Sequence, residues 1–111
     1  MMLDSKRLIA ASSPAVSAVS LIEVLGYHKL SEADRTHFEA FFAAAEILPI
    51  SDAVVAKAVG LRQTRKMSLG DALVAATALV FDRELLTRNV KDFEWVSGLV
   101  VSDPLEKGDP P

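Results

Sequence analysis

Three acidic residues and one amide stand where side chains of their types could bind a metal. Glu23 lies in Ser-Leu-Ile-Glu-Val, Asp71 lies in an alanine-rich segment, and Asn89 and Asp92 follow the short apolar run Leu-Leu-Thr. Each comes just after a predicted strand or at the start of a predicted helix, and in an open parallel sheet those ends share one edge, where ligands bind. Three carboxylates there predict a site for Mg²⁺ or Mn²⁺. Such a cation activates water and offsets the charge of a phosphate.

The same acids also have an ordinary structural interpretation. Ser20 and Glu23, and likewise Ser68 and Asp71, have the spacing of a helix capping box. A carboxylate in the first turn of a helix also interacts favourably with the helix dipole. Asp92 taken alone fits a surface turn. The spacing of the acids by itself therefore leaves both capping and catalysis open.

The predicted elements alternate between helices and short apolar strands. Helices are predicted at residues 3–12, 20–30, 31–46, 52–65 and 68–81, and strands at residues 15–18, 47–50, 85–87 and 99–101. Ser31 and Ser51 are the predicted caps of the third and fourth helices. This alternation predicts an α/β fold with a short parallel sheet covered by helices on both faces. Residues 107–111 are expected to form a loose tail.

The bulk composition limits the possible classes of protein. A chain of 111 residues predicts one domain spanning residues 1–111, and a net charge of −3 gives no general attraction to nucleic acid. The absence of cysteine excludes disulfides, thiolate metal sites and cysteine nucleophiles. The apolar stretch at residues 72–81 falls short of the ~20 residues that span a bilayer. With no signal-peptide pattern at the start, we expect a cytoplasmic protein without a membrane partner.

Five cations flank the acidic segments along the chain. Arg62, Arg65 and Lys66 precede the Asp71 helix, and Arg88 and Lys91 surround Asn89. They are candidates for contacts with RNA phosphates, which would suit a local basic rim on an acidic protein. Cations late in a helix also favour its dipole, so a solvated helix end explains them equally well.

Two segments resemble the PIN domains of VapC-type proteins. Residues 68–78 followed by 85–93 are similar to that family's C-terminal signature, in which an aspartate opens a buried alanine-rich helix and a strand then leads into Thr-Arg-Asn-x-x-Asp-Phe. Residues 16–26 resemble its second acidic segment, a strand and a serine before a helix that carries glutamate. The match covers nearly the whole chain. It implies a three-layer α/β PIN-like domain and favours the functional interpretation of Glu23 and Asp71.

The resemblance also implies an activity and its partners. It indicates a Mg²⁺-dependent (or Mn²⁺-dependent) endoribonuclease, the toxin component of a type II toxin–antitoxin system of the VapBC kind. Glu23, Asp71 and Asp92 would be the catalytic acids and metal ligands, and Asn89 a further polar ligand at the metal. The implied partners are RNA that is single-stranded or looped, an antitoxin of VapB type and a second copy of the chain in a homodimer.

The start of the chain departs from the family's pattern. The family opens with a strand that ends in aspartate, a small polar residue and asparagine, whereas here Asp4 is followed by Ser5 and Lys6. The segment from Leu3 onward instead predicts a helix. We therefore expect the first strand and its aspartate to be missing, and metal binding and nuclease activity to be weak. The rival function is a catalytically inactive PIN-like module that binds an antitoxin or dimerises.

Overall fold

A parallel sheet of short strands organises the protein. The computed structural model describes the backbone of residues 2–3 and the whole of residues 15–103. Within these residues the sheet has five strands in the order β3-β2-β1-β4-β5, and each adjacent pair is parallel. The strands are β1 (Met2–Leu3), β2 (Ala15–Ser17), β3 (Glu46–Leu48), β4 (Leu85–Leu86) and β5 (Val101–Ser102).

A serine begins each α-helix that the structure describes. The helices are α1 (Ala18–Leu25), α2 (Glu32–Ala44), α3 (Asp52–Thr64) and α4 (Leu69–Val80), and a 3₁₀ turn spans Val90–Asp92. The hydroxyls of Ser17, Ser31, Ser51 and Ser68 accept a hydrogen bond from the backbone N–H three residues later, at 3.0–3.2 Å. Each serine thereby satisfies a backbone donor that the first helical turn leaves without a partner. The caps predicted at Ser31 and Ser51 are confirmed.

Helices cover both faces of the sheet, because neighbouring residues of a strand point to opposite sides. Ala15 of β2 packs in one cluster with Val74, Ala75 and Ala78 of α4. Val16, the next residue, packs in another with Val24 of α1 and Phe42 of α2. The small side chains of α4 let that helix contact both the sheet and α3, which shares a third cluster with it. The three-layer α/β arrangement expected from the sequence is confirmed.

The centre of the sheet corrects the expectation of a missing first strand. Met2 pairs with Ala15 and Leu85, and Leu3 pairs with Val16 and Leu86, so β1 lies between β2 and β4. The helix predicted from residue 3 is therefore wrong at Leu3. A strand of two residues is too short to show a period, so no pattern in the sequence distinguishes it from the start of a helix. Asp4, the rest of that predicted helix and the tail at residues 107–111 lie outside the described residues.

Helix α1 and the last strand also differ from their predicted bounds. Helix α1 begins after Ser17 rather than at Ser20. It ends at Leu25 rather than at residue 30, and Gly26, the C-cap residue, donates its N–H to the carbonyl of Ile22 at 2.8 Å. The last strand begins at Val101 rather than residue 99, because Gly98 has a φ of +83° in a turn closed by Leu99 N–H on the carbonyl of Val96. In the described part of the chain, every helix is too short or too polar to cross a membrane.

Candidate functional site

The carboxyl ends of β2 and β4 carry buried hydroxyl groups on either side of β1. Leu3 pairs with Val16 and Leu86, and the residues that follow those two are Ser17 and Thr87, both fully buried. The Ser17 hydroxyl donates to the Ser20 hydroxyl oxygen at 2.9 Å. The Thr87 hydroxyl oxygen accepts the backbone N–H of Asn89 at 3.0 Å. The Thr87 hydroxyl therefore fixes the start of the loop that carries Asn89 and Asp92.

Asp71 and Asp92 come from different elements and repel one another; we call them the acid pair. Asp71 is half-buried in the first turn of α4, and Asp92 is exposed at the end of the 3₁₀ turn. Burial raises the pKa of the Asp71 carboxyl, a hydrogen bond with Ser68 lowers it, and the charge of Asp92 raises it. The net effect is a pKa above the ordinary value of 3.8. The two carboxylates are thus close enough for the charge of Asp92 to affect the titration of Asp71.

Glu23 reaches the first turn of α4 from α1. It is exposed, and a Cβ placed on Gly70 would lie only 2.9 Å from Glu23 Oε2. Because Ser17 caps α1, Glu23 lies beyond the first turn, and the capping-box interpretation of Ser20 and Glu23 is wrong. The capping interpretation of Ser68 is confirmed, so that Asp71 belongs both to a helix cap and to the acid pair.

Asn89 and Asp92 lie in one groove after β4, which we call the acidic groove. It has a volume of about 420 Å³ and is lined by Arg88, Asn89, Val90, Lys91, Asp92, Glu94 and Asp103. The backbone N–H of Asp92 donates to the Asn89 carbonyl at 3.0 Å, and the side chain of Phe93, which follows, is only 1% exposed. The buried Phe93 anchors the turn, so Asp92 has a fixed backbone beneath an exposed carboxylate.

The chemistry of the acid pair fits a hydrated divalent cation. Carboxylate oxygens are the ligands that Mg²⁺ prefers, and Mg²⁺ in proteins is usually bound through one or two carboxylates while it keeps several waters. The repulsion between Asp71 and Asp92 is also a cost that a cation would relieve. Among residues 15–103 no three acidic or histidine side chains gather closely enough to hold one ion, so Glu23 does not complete the pair directly.

The five candidate RNA-binding cations divide between two grooves. Arg62, Arg65 and Lys66 line a groove at the end of α3, the basic groove, of about 740 Å³. There Arg62 Nε donates to the Met67 carbonyl at 3.2 Å, and the Arg65 guanidinium lies over the Trp95 ring. Arg88 and Lys91 line the acidic groove instead, and Arg88 Nε lies 3.3 Å from Asp103 Oδ2. The second group of cations is therefore offset by neighbouring acids, and of these two grooves the basic groove has the greater concentration of positive charge.

Two residues near the acids were not singled out by the sequence analysis. Gly70 allows the close approach of Glu23, and its position directly before Asp71 in the first turn of a helix was an available signal. Trp95 donates its indole N–H to the Asp92 carbonyl at 2.9 Å. No pattern in the sequence distinguishes that indole from one that only packs.

Comparisons with known proteins identify the family and the fold. The PIN domain family profile matches residues 3–98. A toxin–antitoxin complex from Klebsiella pneumoniae is 32% identical over 86% of this chain and 77% of that one, with a TM-score of 0.71. VapBC2 from Rickettsia felis, bound to a promoter DNA fragment, is 22% identical over 82% and 74%, also with a TM-score of 0.71.

Of these three solved structures, the third is similar over the greatest share of both chains. VapBC-5 from Mycobacterium tuberculosis is 20% identical over 92% of this chain and 94% of that one, with a TM-score of 0.65. No protein with a curated description matches the chain. With the acids placed at the carboxyl edge of a parallel sheet, the chain is a member of the PIN domain family, and it has the fold of VapC-like proteins from toxin–antitoxin systems.

Proposed function

We propose that the protein is a metal-dependent endoribonuclease, the toxin component of a VapBC-type toxin–antitoxin system, with Mg²⁺ or Mn²⁺ as its cofactor. The observation that carries the proposal is the charge interaction within the acid pair, in which Asp92 of one element raises the pKa of Asp71 of another. PIN domains are generally nucleases that depend on divalent metals, which supports the same conclusion.

Each site residue has a distinct proposed role. Asp71 and Asp92 would hold the cation directly, Glu23 would act at its margin through water, and Asn89 would offer an amide oxygen from the acidic groove. When bound, the cation lowers the pKa of water and offsets charge on a phosphodiester. The Ser68 hydroxyl keeps the Asp71 carboxylate oriented through its hydrogen bond. These roles make Asp71 and Asp92 indispensable and Glu23 supportive.

The basic groove is the proposed contact for RNA phosphates. Arg62 and Lys66 lie at its exposed wall, next in sequence to the helix that carries Asp71. Local cations of this kind hold a phosphate backbone in position without reading its sequence. Arg88 and Lys91 would contribute less, because Arg88 is paired with Asp103 and both lie among acids.

The protein's partners follow from its relatives. The solved structures that it resembles are described as toxin–antitoxin or VapBC complexes. We accordingly propose a VapB-type antitoxin as partner, a homodimer as the assembled form and the cytoplasm as the location.

One observation favours a second candidate function, an inactive PIN-like module that binds an antitoxin or dimerises. In the described part of the chain no three acids converge on one point, and nucleases that use metal ions depend on such ligands. If this module is the real function, the fold and the partner remain but RNA is not cleaved.

The decisive experiment is RNA cleavage by the 111-residue chain. A single-stranded RNA substrate is incubated with the protein in Mg²⁺, in Mn²⁺ and in EDTA. We expect cleavage only with metal, and loss of at least about 100-fold in Asp71→Asn and Asp92→Asn, as for removal of a group that stabilises charge in the reaction. Asp34→Asn, which removes an acid from the start of α2, is the matched control and should cleave normally. Cleavage that persists in Asp71→Asn refutes the proposal, and antitoxin binding without any cleavage supports the inactive module.

A further inference from the structure

We propose that Trp95 is a positioning residue, which fixes the orientation of Asp92 through a hydrogen bond to its carbonyl, and that Arg65 in turn holds Trp95 in place. The inference rests on the proposed function, since it concerns how one half of the acid pair is oriented. It assigns to Arg65 a role through an aromatic ring rather than on RNA.

The backbone of Asp92 is held from both sides. Its N–H donates to the Asn89 carbonyl at 3.0 Å, and its carbonyl accepts the Trp95 indole N–H at 2.9 Å. Because the peptide groups on both sides of Asp92 are fixed, the direction of its Cα–Cβ bond is also fixed. The carboxylate can then reach only the positions that the side-chain rotamers allow from that bond. A 3₁₀ turn of three residues has weak hydrogen-bond geometry, so an added side-chain donor matters there.

Trp95 lies beside the end of α3. It lines a groove together with Gly60, Leu61 and Thr64 of α3 and Leu79 of α4. The Arg65 guanidinium carbon lies 5.2 Å from the centre of the ring, which is the distance of a cation–π contact. Arg65 is the C-cap residue of α3, with its own N–H donating to the Leu61 carbonyl at 3.2 Å. The end of a well-packed helix therefore supports the turn that carries Asp92.

This arrangement links the α3–α4 unit to both members of the acid pair. Asp71 belongs to α4, which packs on α3, and Asp92 is joined to the end of α3 through Trp95 and Arg65. Hydrogen-bonded partners behind metal ligands commonly set ligand orientation, and their loss weakens metal binding. A tryptophan that only fills space would need its ring, whereas a positioning tryptophan needs its N–H.

The first test replaces the N–H while keeping an aromatic ring. Calorimetric titration of Mn²⁺ into Trp95→Phe should show affinity about 3- to 10-fold weaker than in the native chain, the effect of one lost hydrogen bond. Val54→Ala, which removes methyl groups from the buried α3–α4 contact, is the control. It should lower the thermal unfolding midpoint and leave Mn²⁺ affinity unchanged, so that loss of stability alone is separated from loss of positioning.

The second test addresses Arg65 and does not alter Trp95. Arg65→Gln should weaken Mn²⁺ binding. Arg65→Lys should bind Mn²⁺ as the native chain does, because lysine keeps a positive charge over the Trp95 ring. Arg35→Gln removes an exposed arginine of α2, outside both grooves, and should leave Mn²⁺ affinity unchanged. Trp95 is the only tryptophan of the protein, so its fluorescence reports on this contact directly. Mg²⁺ should change the emission of the native chain but not that of Asp92→Asn.

The outcomes separate this inference from the proposed function. If the native chain binds Mn²⁺, Asp71→Asn does not, and both Trp95→Phe and Arg65→Gln bind normally, the positioning role is refuted and the metal site stands. If the native chain binds no Mn²⁺ or Mg²⁺ at all, the proposed function fails and the positioning role fails with it.

Discussion

The carboxylates of Asp71 and Asp92 repel one another across the space between the start of α4 and the turn after β4. Folding alone gives no reason to bring them together, because separate surface positions would cost nothing. Electrostatic strain of this kind concentrates at functional sites. A cation bound near both carboxylates would offset this repulsion, which would give the arrangement a function.

Asp71→Asn should therefore make the metal-free protein more stable at neutral pH. The pKa of Asp71 is raised in the fold, so the folded state binds this proton more tightly than the unfolded chain does. At pH values above the raised pKa, the charged Asp71 carboxylate lowers the free energy of unfolding. This loss of stability disappears as the pH falls below the ordinary pKa of an aspartate. Thermal unfolding should show a higher midpoint for Asp71→Asn at pH 7 and a smaller difference at acidic pH.

Asp52→Asn provides the opposite result for comparison. Asp52 lies in the first turn of α3 and is exposed, so its charge favours the helix dipole. Its neutralisation should lower stability by about 0.3–1 kcal/mol. If Asp71→Asn also lowered stability at pH 7, Asp71 would be a simple helix-capping acid.

Asp92→Asn should lower the pKa of Asp71. The substitution removes the repulsion between the pair but keeps the burial of Asp71 and its hydrogen bond with Ser68. Titration of the Asp71 carboxyl carbon by NMR measures the change. Glu94→Gln is the control, since Glu94 lines the acidic groove without contributing to the shift. An Asp71 pKa that is the same in Asp92→Asn and the native chain would contradict the proximity of the two carboxylates.

Gly70→Ala should stabilise the fold and weaken metal binding together. Alanine is favoured over glycine in a helix by roughly 0.5–1 kcal/mol, but its Cβ would lie 2.9 Å from Glu23 Oε2 and displace that carboxylate. Gly60→Ala is the matched control, because a Cβ there meets nothing within 4 Å. Denaturant unfolding should show both variants to be more stable, while Mn²⁺ titration should show weaker binding only for Gly70→Ala. Equal Mn²⁺ affinity in the two variants would show that Glu23 does not contribute to metal binding.

Leu85→Ala should be among the most destabilising leucine substitutions. Leu85 is fully buried in β4 and packs with Ala15, Val74 and Phe93. Its truncation leaves a cavity and should cost about 2–5 kcal/mol of unfolding free energy. Leu69→Ala, at a leucine that is 59% exposed, should change stability by no more than about 0.5 kcal/mol. If urea unfolding showed similar losses of unfolding free energy in the two variants, Leu85 of β4 would not be a central residue of the core.

The sequence allowed the helices and their serine caps to be predicted because those signals are local. Ser31, Ser51 and Ser68 all cap as their spacing indicates. The first strand could not be predicted, since Met2 and Leu3 acquire their role only by pairing with residues distant in the chain. For the same reason, the sequence suggested Ser20 as the cap of α1, whereas the strand ends one turn earlier at Ser17.

The sequence indicated candidate members of the site but not the contacts between them. Family resemblance indicated Glu23, Asp71 and Asp92, whereas the repulsion between two of them depends on the tertiary packing of α4 against the β4 loop. The bond from Trp95 to the Asp92 carbonyl and the pairing of Arg88 with Asp103 likewise depend on side-chain geometry. Arg88 in particular could not be separated from the cations of the basic groove by its sequence position.

The central position of β1 has a consequence for the order in which the sheet folds. Met2 pairs with Ala15, which is near it in sequence, and with Leu85, which is far from it in sequence. Closing so long a loop is slow, and an unfilled slot between β2 and β4 exposes unpaired backbone in the meantime. The sheet is therefore completed late in folding, when the segments on both sides of β1 have come together.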